Sequence, residues 1–78
     1  MPRYYIHSHD SDSLCRDDAG YELKNAAAAR YAAVEALPDM ARDKLPNGRD
    51  RRIFKVQVED GDRRLIYEAT LELVEKWI

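Results

Sequence analysis

The sequence predicts an α+β domain of order β-β-α-β-β, with one Pro-kinked helix packed on one face of a small antiparallel sheet of about four strands. Three observations carry this prediction. The alanine-rich stretch AAAARYAAVEAL, from Ala26, has the strongest helix propensity in the chain. Arg52 to Glu59 alternates with period two, setting Phe54, Val56 and Val58 against Ile53, Lys55, Gln57 and Glu59. A second alternation, from Arg64 to Trp77, follows the turn residues Asp60-Gly61-Asp62. With 78 residues, 45% hydrophobic and 36% charged, the chain suffices for one domain spanning 1–78.

Arg3 to Ser8 (RYYIHS) is aromatic and β-branched and runs into a Ser/Asp cluster, which predicts a first strand and then a turn over Ser8 to Ser13. Leu14 to Arg16 reads as a short return strand. Asp17-Asp18-Ala19-Gly20 is a second turn, with Gly20 able to take positive φ, and Tyr21 to Leu23 is extended. Asn25 is a suitable N-cap for a helix from Ala26 to Leu45. At 100° per residue, Ala27, Val34, Leu37, Ala41 and Leu45 share its apolar face, with Ala26, Ala33 and Met40 at the margin. Pro38 removes one amide donor and predicts a kink or a fresh turn. Pro46-Asn47-Gly48 ends the helix, and Arg42 and Lys44 complement its negative end.

In the last strand Leu65, Tyr67, Ala69, Leu71 and Leu73 point inward, and the expected core combines Leu37, Phe54, Val56, Leu71 and Leu73. Two hairpins joined by a helix remain antiparallel throughout in the strand order 2-1-3-4, which is preferred to the mixed alternative 2-1-4-3.

The segments MPRYYIHSHDSD, DDAGYEL and AVEALPDMARDKLP, with the EDGD-centred hairpin, resemble a family of short, uncharacterised alphaproteobacterial proteins known as a domain of unknown function. The resemblance covers almost the whole chain. It rests on Tyr4, His7, Asp10, Asp17, Gly20, Leu23, Pro38 and Asp39, and implies one helix and a C-terminal β-hairpin. It brings no catalytic residue with it.

Composition excludes several function classes. Thirteen Lys and Arg against fifteen Asp and Glu leave a net charge of -2, too little positive charge for a dedicated duplex binder. The basic groups, Arg42 to Arg52 and Arg63-Arg64, belong to opposite ends of the hairpin and form no single patch. A lone cysteine allows no internal disulfide, which points to a reducing, cytoplasmic setting. Neither a secretory leader nor a membrane span is expected.

His7 and His9 with Asp10, Asp12 and Cys15 lack the spacing of a zinc site, and Asp10-x-Asp12 lacks the glycine and closing Glu of a calcium loop. Ser8, Ser11, Ser13 and Cys15 have histidines nearby but no Gly-rich turn to form an oxyanion hole. Gly20, Gly48 and Gly61 are isolated, so no phosphate-cradling loop is present. No catalytic, cofactor-binding or metal residue is therefore assigned.

Tyr5, His7, Ile53, Ile66 and Val74 alternate onto the sheet face away from the helix, where a purely solvated surface would be more polar. They are the candidate contact surface, for another protein or for a homodimer. The expected function is a small non-enzymatic protein-interaction or regulatory module. The alternative is a weak nucleic-acid-binding or antitoxin-like module.

Overall fold

The computed structural model of the protein describes residues 1–11, 13–45 and 51–78. Its elements are β1 (Arg3–Asp10), β2 (Leu14–Cys15), β3 (Tyr21–Glu22), α1 (Ala26–Lys44), β4 (Arg51–Glu59) and β5 (Leu65–Val74). The sheet runs β2-β1-β4-β5, every pairing antiparallel, as expected for two hairpins joined by a helix. Tyr21 and Glu22 add a fifth short strand, pairing with Tyr4 and Arg3 of β1.

The register fixes the two faces. Ile6, Ser8 and Asp10 lie opposite Val58, Val56 and Phe54, while Tyr67, Ala69 and Leu71 lie opposite Val58, Val56 and Phe54 on the other side of β4. This face meets the helix. Tyr5, His7 and His9 lie opposite Glu59, Gln57 and Lys55 on the other face.

Asn25 caps α1 as expected: its backbone is extended and its Oδ1 accepts from Ala28 N at 2.9 Å. The helix stops at Leu45, whose N–H donates to the Ala41 carbonyl. It continues through Pro38 as one element. Both Pro38 and Val34 are exposed, so the Val34 carbonyl that loses its donor can turn to water.

The phase of the helix differs from the predicted stripe. Ala29, Ala33 and Leu37 are the buried residues, one turn apart, with Ala36, Met40, Ala41 and Leu45 packed partly beside them. Ala27 and Val34 face solvent. A run of alanines carries almost no amphipathic signal, and small side chains seat the helix axis close to the sheet wherever tertiary packing places it.

The core is Tyr4, Ala29, Ala33, Leu37, Phe54, Val56 and Val58. Leu71 and Leu73 do not join it as predicted: Leu71 is 42% exposed and Leu73 is half-buried. The reason is width. A helix about 10 Å across covers roughly two strands spaced about 4.8 Å apart, and α1 sits mainly on β4. At the far end of the covered face, Asp10 and Arg52 form a buried ion pair at 3.7 Å. The predicted helix stop Pro46-Asn47-Gly48, like Asp12, lies outside the described residues.

Candidate functional site

The open face of β1 is roofed by the segment between β2 and β3. Asp17 lies at its centre, and its Oδ2 accepts from Ile6 N at 3.1 Å, at the strand position between those paired with β3 and β2. Its Oδ1 accepts from Gly20 N at 2.9 Å and Ala19 N at 3.2 Å. One carboxylate thus replaces the missing rung of the ladder and closes its own turn. Burial alone would raise its pKa, but the amides of Gly20, Ile6 and Ala19 outweigh that cost and, with His7, hold the carboxyl below its ordinary value.

The Asp17 amide donates to Nδ1 of His7 at 3.0 Å. Nδ1 is therefore an acceptor, the ring proton is on Nε2, and Nε2 lies 3.1 Å from Glu59 Oε1 without aiming squarely at it. This contact with His7 lowers the Glu59 pKa against the opposing effect of burial, and Arg63 lowers it further. His7 is only 3% exposed. It is a buried strut between a turn and β4, so the contact surface predicted from strand alternation has to be corrected at this residue.

Tyr5 is also partly covered. The Arg63 guanidinium stacks 3.8 Å from its ring centre and pairs with Glu59 at 2.9 Å. Arg63 takes φ 65 after the Asp60–Asp62 turn, a conformation that favours glycine, and it is the side chain at this position that reaches Tyr5. The other predicted surface residues lie elsewhere. Ile66 is the extra residue where the β4–β5 register shifts, while Ile53 is half-buried and Val74 is 63% exposed toward the opposite end of the hairpin. The five residues do not form one patch.

Ser8, His9, Asp10, Ser13 and Cys15 do come together, with Met40, Asp43 and Lys44 from the helix end, around a shallow cleft of ≈ 190 Å³. His9 contacts Gln57 Oε1 at 3.0 Å, and Asp10 Oδ1 accepts from Ser13 N at 3.0 Å. Among the described residues, no three His, Cys, Asp or Glu side chains converge as metal ligands. Basic side chains are drawn into local pairs: Arg3 with Glu22, Arg42 with Asp39, Arg51 with Glu72 and Lys55 with Glu68.

β5 closes one side of the sheet and has no strand beyond it among the described residues. The direction of its backbone groups follows from alternation. Ile6 N and Asp10 N donate away from β4, and Ile53 N donates to Ser11 Oγ on the β1 side. Odd residues of β4 therefore bond toward β1 and even residues toward β5, which pairs Val56 with Ala69 and Phe54 with Leu71 through hydrogen bonds. The N–H and C=O groups of Glu68, Thr70 and Glu72 point out of the sheet. Natural edges are commonly blunted by Pro, charged side chains, bulges or short length. LIYEATLELV is ten residues long without Pro, Gly or Lys, its bulge is confined to Ile66, and its charges, Glu68 and Glu72, are paired toward β4.

The family model described as Domain of unknown function (DUF6894) matches residues 3–72. The chain belongs to the DUF6894 family. No curated protein and no solved structure matches it. In this DUF6894 domain, five of the residues that carried the sequence resemblance have clear structural work. Tyr4 is in the core, Leu23 packs against it, and His7, Asp17 and Gly20 build the roof over β1.

Gly20 has φ 77, and an added Cβ would lie 2.9 Å from Arg3 Cγ and 3.0 Å from Tyr5 Cε1. Gly20→Ala is therefore expected to destabilise the DUF6894 domain by about 1–3 kcal/mol through left-handed strain and crowding. Chemical denaturation measures this, and an unchanged midpoint would contradict the assignment of Gly20 as a conformational requirement.

Proposed function

We propose that this DUF6894 domain is a small non-enzymatic interaction module, regulatory in the sense that it acts by joining another polypeptide, and that β5 is its contact strand. The observation that carries this reading is the ten-residue edge of β5, with outward backbone donors and acceptors and with Leu71 and Val74 exposed beside them. A strand added there would satisfy those groups and extend the sheet. The local pairing of Arg3, Arg42, Arg51, Lys55 and Arg63 with carboxylates favours a protein partner over nucleic acid, because a paired cation releases fewer phosphate counterions. The exposed Cys15 thiol fits action in a reducing compartment such as the cytoplasm.

Thr70→Pro tests the reading, since it removes an outward N–H while leaving the bonds to β4 in place. Affinity capture from source cells with wild-type and Thr70→Pro baits should show specific partners lost from the variant, with circular dichroism confirming its fold. An identical set of captured proteins from both baits would reject β5 as the contact strand.

A further inference from the structure

We infer that the occupant of the β5 edge is a second copy of this chain, paired antiparallel about a twofold axis at Ala69. The inference rests on the reading of β5 as a contact strand and adds both partner and register. An antiparallel strand pairing with itself must place residues of equal parity opposite each other, so the axis passes through a residue. Only a few registers keep Tyr67 to Leu73 paired, and side-chain chemistry separates them.

With the axis at Ala69, Tyr67 faces the partner's Leu71 and Ala69 faces the partner's Ala69, on the side where the helices lie. On the open side, Glu68 faces the partner's Thr70. From Tyr67 to Leu71 apolar residues meet apolar residues and no like charges are directly opposed, while Ile66, at the bulge, comes opposite the partner's Glu72. With the axis at Thr70, Glu68 faces the partner's Glu72 twice over. With the axis at Glu68, that carboxylate faces its own copy. With the axis at Leu71, Tyr67 is placed against the partner's Glu75, a charge on the apolar side and beyond the end of β5.

Glu68 accepts from Gln57 Nε2 at 2.7 Å and Glu72 from Arg51 Nε at 2.6 Å, so both carboxylates lean toward β4 and leave the edge open to a partner strand. A further observation favours the Ala69 register over those centred on even residues. Outward backbone groups belong to the even residues, which makes Ala69 a non-hydrogen-bonded pair at the axis. Its Cα atoms would then approach to about 4.5 Å, a spacing that the small alanine side chain permits. Pairing would also cover Leu71, which the protein's own helix leaves 42% exposed.

The test uses the purified full chain. Sedimentation should show a concentration-dependent species of twice the 9.1 kDa chain mass, absent from Thr70→Pro. In a Cys15→Ser background, single cysteines at Ala69, Thr70 and Leu71 report the register under mild oxidation. The Ala69→Cys protein should give a disulfide-linked dimer, because its Cα separation falls within disulfide range, and the other two should remain largely monomeric. Preferential cross-linking of Thr70→Cys or Leu71→Cys would overturn the register. A wild-type chain that sediments only as monomer at high concentration would overturn self-pairing altogether. In that case, capture of partners that Thr70→Pro loses would still uphold the interaction module with a different occupant.

Discussion

Phe54→Ala is expected to unfold most of the protein at room temperature. Phe54 is 1% exposed, lies on the covered face of β4 opposite Asp10 and packs in the cluster with Leu37, Val56 and the helix alanines. Removing a buried phenyl ring costs about 3–5 kcal/mol, the transfer free energy plus the cavity left behind. A domain of this size has a total stability of about the same magnitude. No second layer can close over the void, because one helix supplies the whole lid. Thermal unfolding followed by circular dichroism should show a weak or absent transition for the variant. A melting temperature within about 5 °C of wild type would correspond to roughly 1 kcal/mol, and would mean that Phe54 is not central to the core.

The second large effect is expected at Asp17. Asp17→Ala takes the acceptor from three backbone amides, those of Ile6, Ala19 and Gly20, and frees the turn that covers His7. Leaving part-buried donors without a partner should cost about 2–4 kcal/mol, with the lower end applying if water reaches the opened turn. The same carboxylate predicts a pH dependence. Folding lowers the pKa of Asp17 below its ordinary 3.8 and that of Glu59 below 4.5, so the unfolded chain binds more protons as the medium becomes acidic.

The stability contributed by these two groups is therefore complete above their unfolded values and is lost as pH falls through their folded ones. Melting temperature should fall off below about pH 4.5, and less steeply in Asp17→Ala, which has already lost one of the two contributions. Superimposable acid limbs for the two proteins would show that Asp17 carries no linked stability.

Local signals in the sequence were sufficient for the elements and their order. Period-two alternation placed β4 within one residue at its start, and the cap residue Asn25 placed the start of α1. The strand order followed from requiring every neighbour to be antiparallel when two hairpins are joined by a helix. The candidate site was less legible. Alternation correctly assigned Tyr5 and His7 to the face without the helix, yet a turn more than eight residues later folds back over them, and nothing in a strand pattern reports such a cover. The DDAGYEL segment held the only signal: an Asp followed three residues later by Gly is the chemistry of a side-chain-closed turn. That the same Asp also reaches Ile6 could be read only from the fold.

The sequence by itself determined the secondary structure, the strand order and the family resemblance, because each depends on near-neighbour periodicity, turn residues or short motifs. Tertiary structure decided which alanines face the sheet, that Leu71 stays exposed, that His7 is a buried strut and that the outward backbone groups of β5 belong to Glu68, Thr70 and Glu72. Those outcomes depend on the finite width of one helix and on hydrogen bonds between residues ten or more positions apart. Neither quantity has a signature in the spacing of residues along the chain.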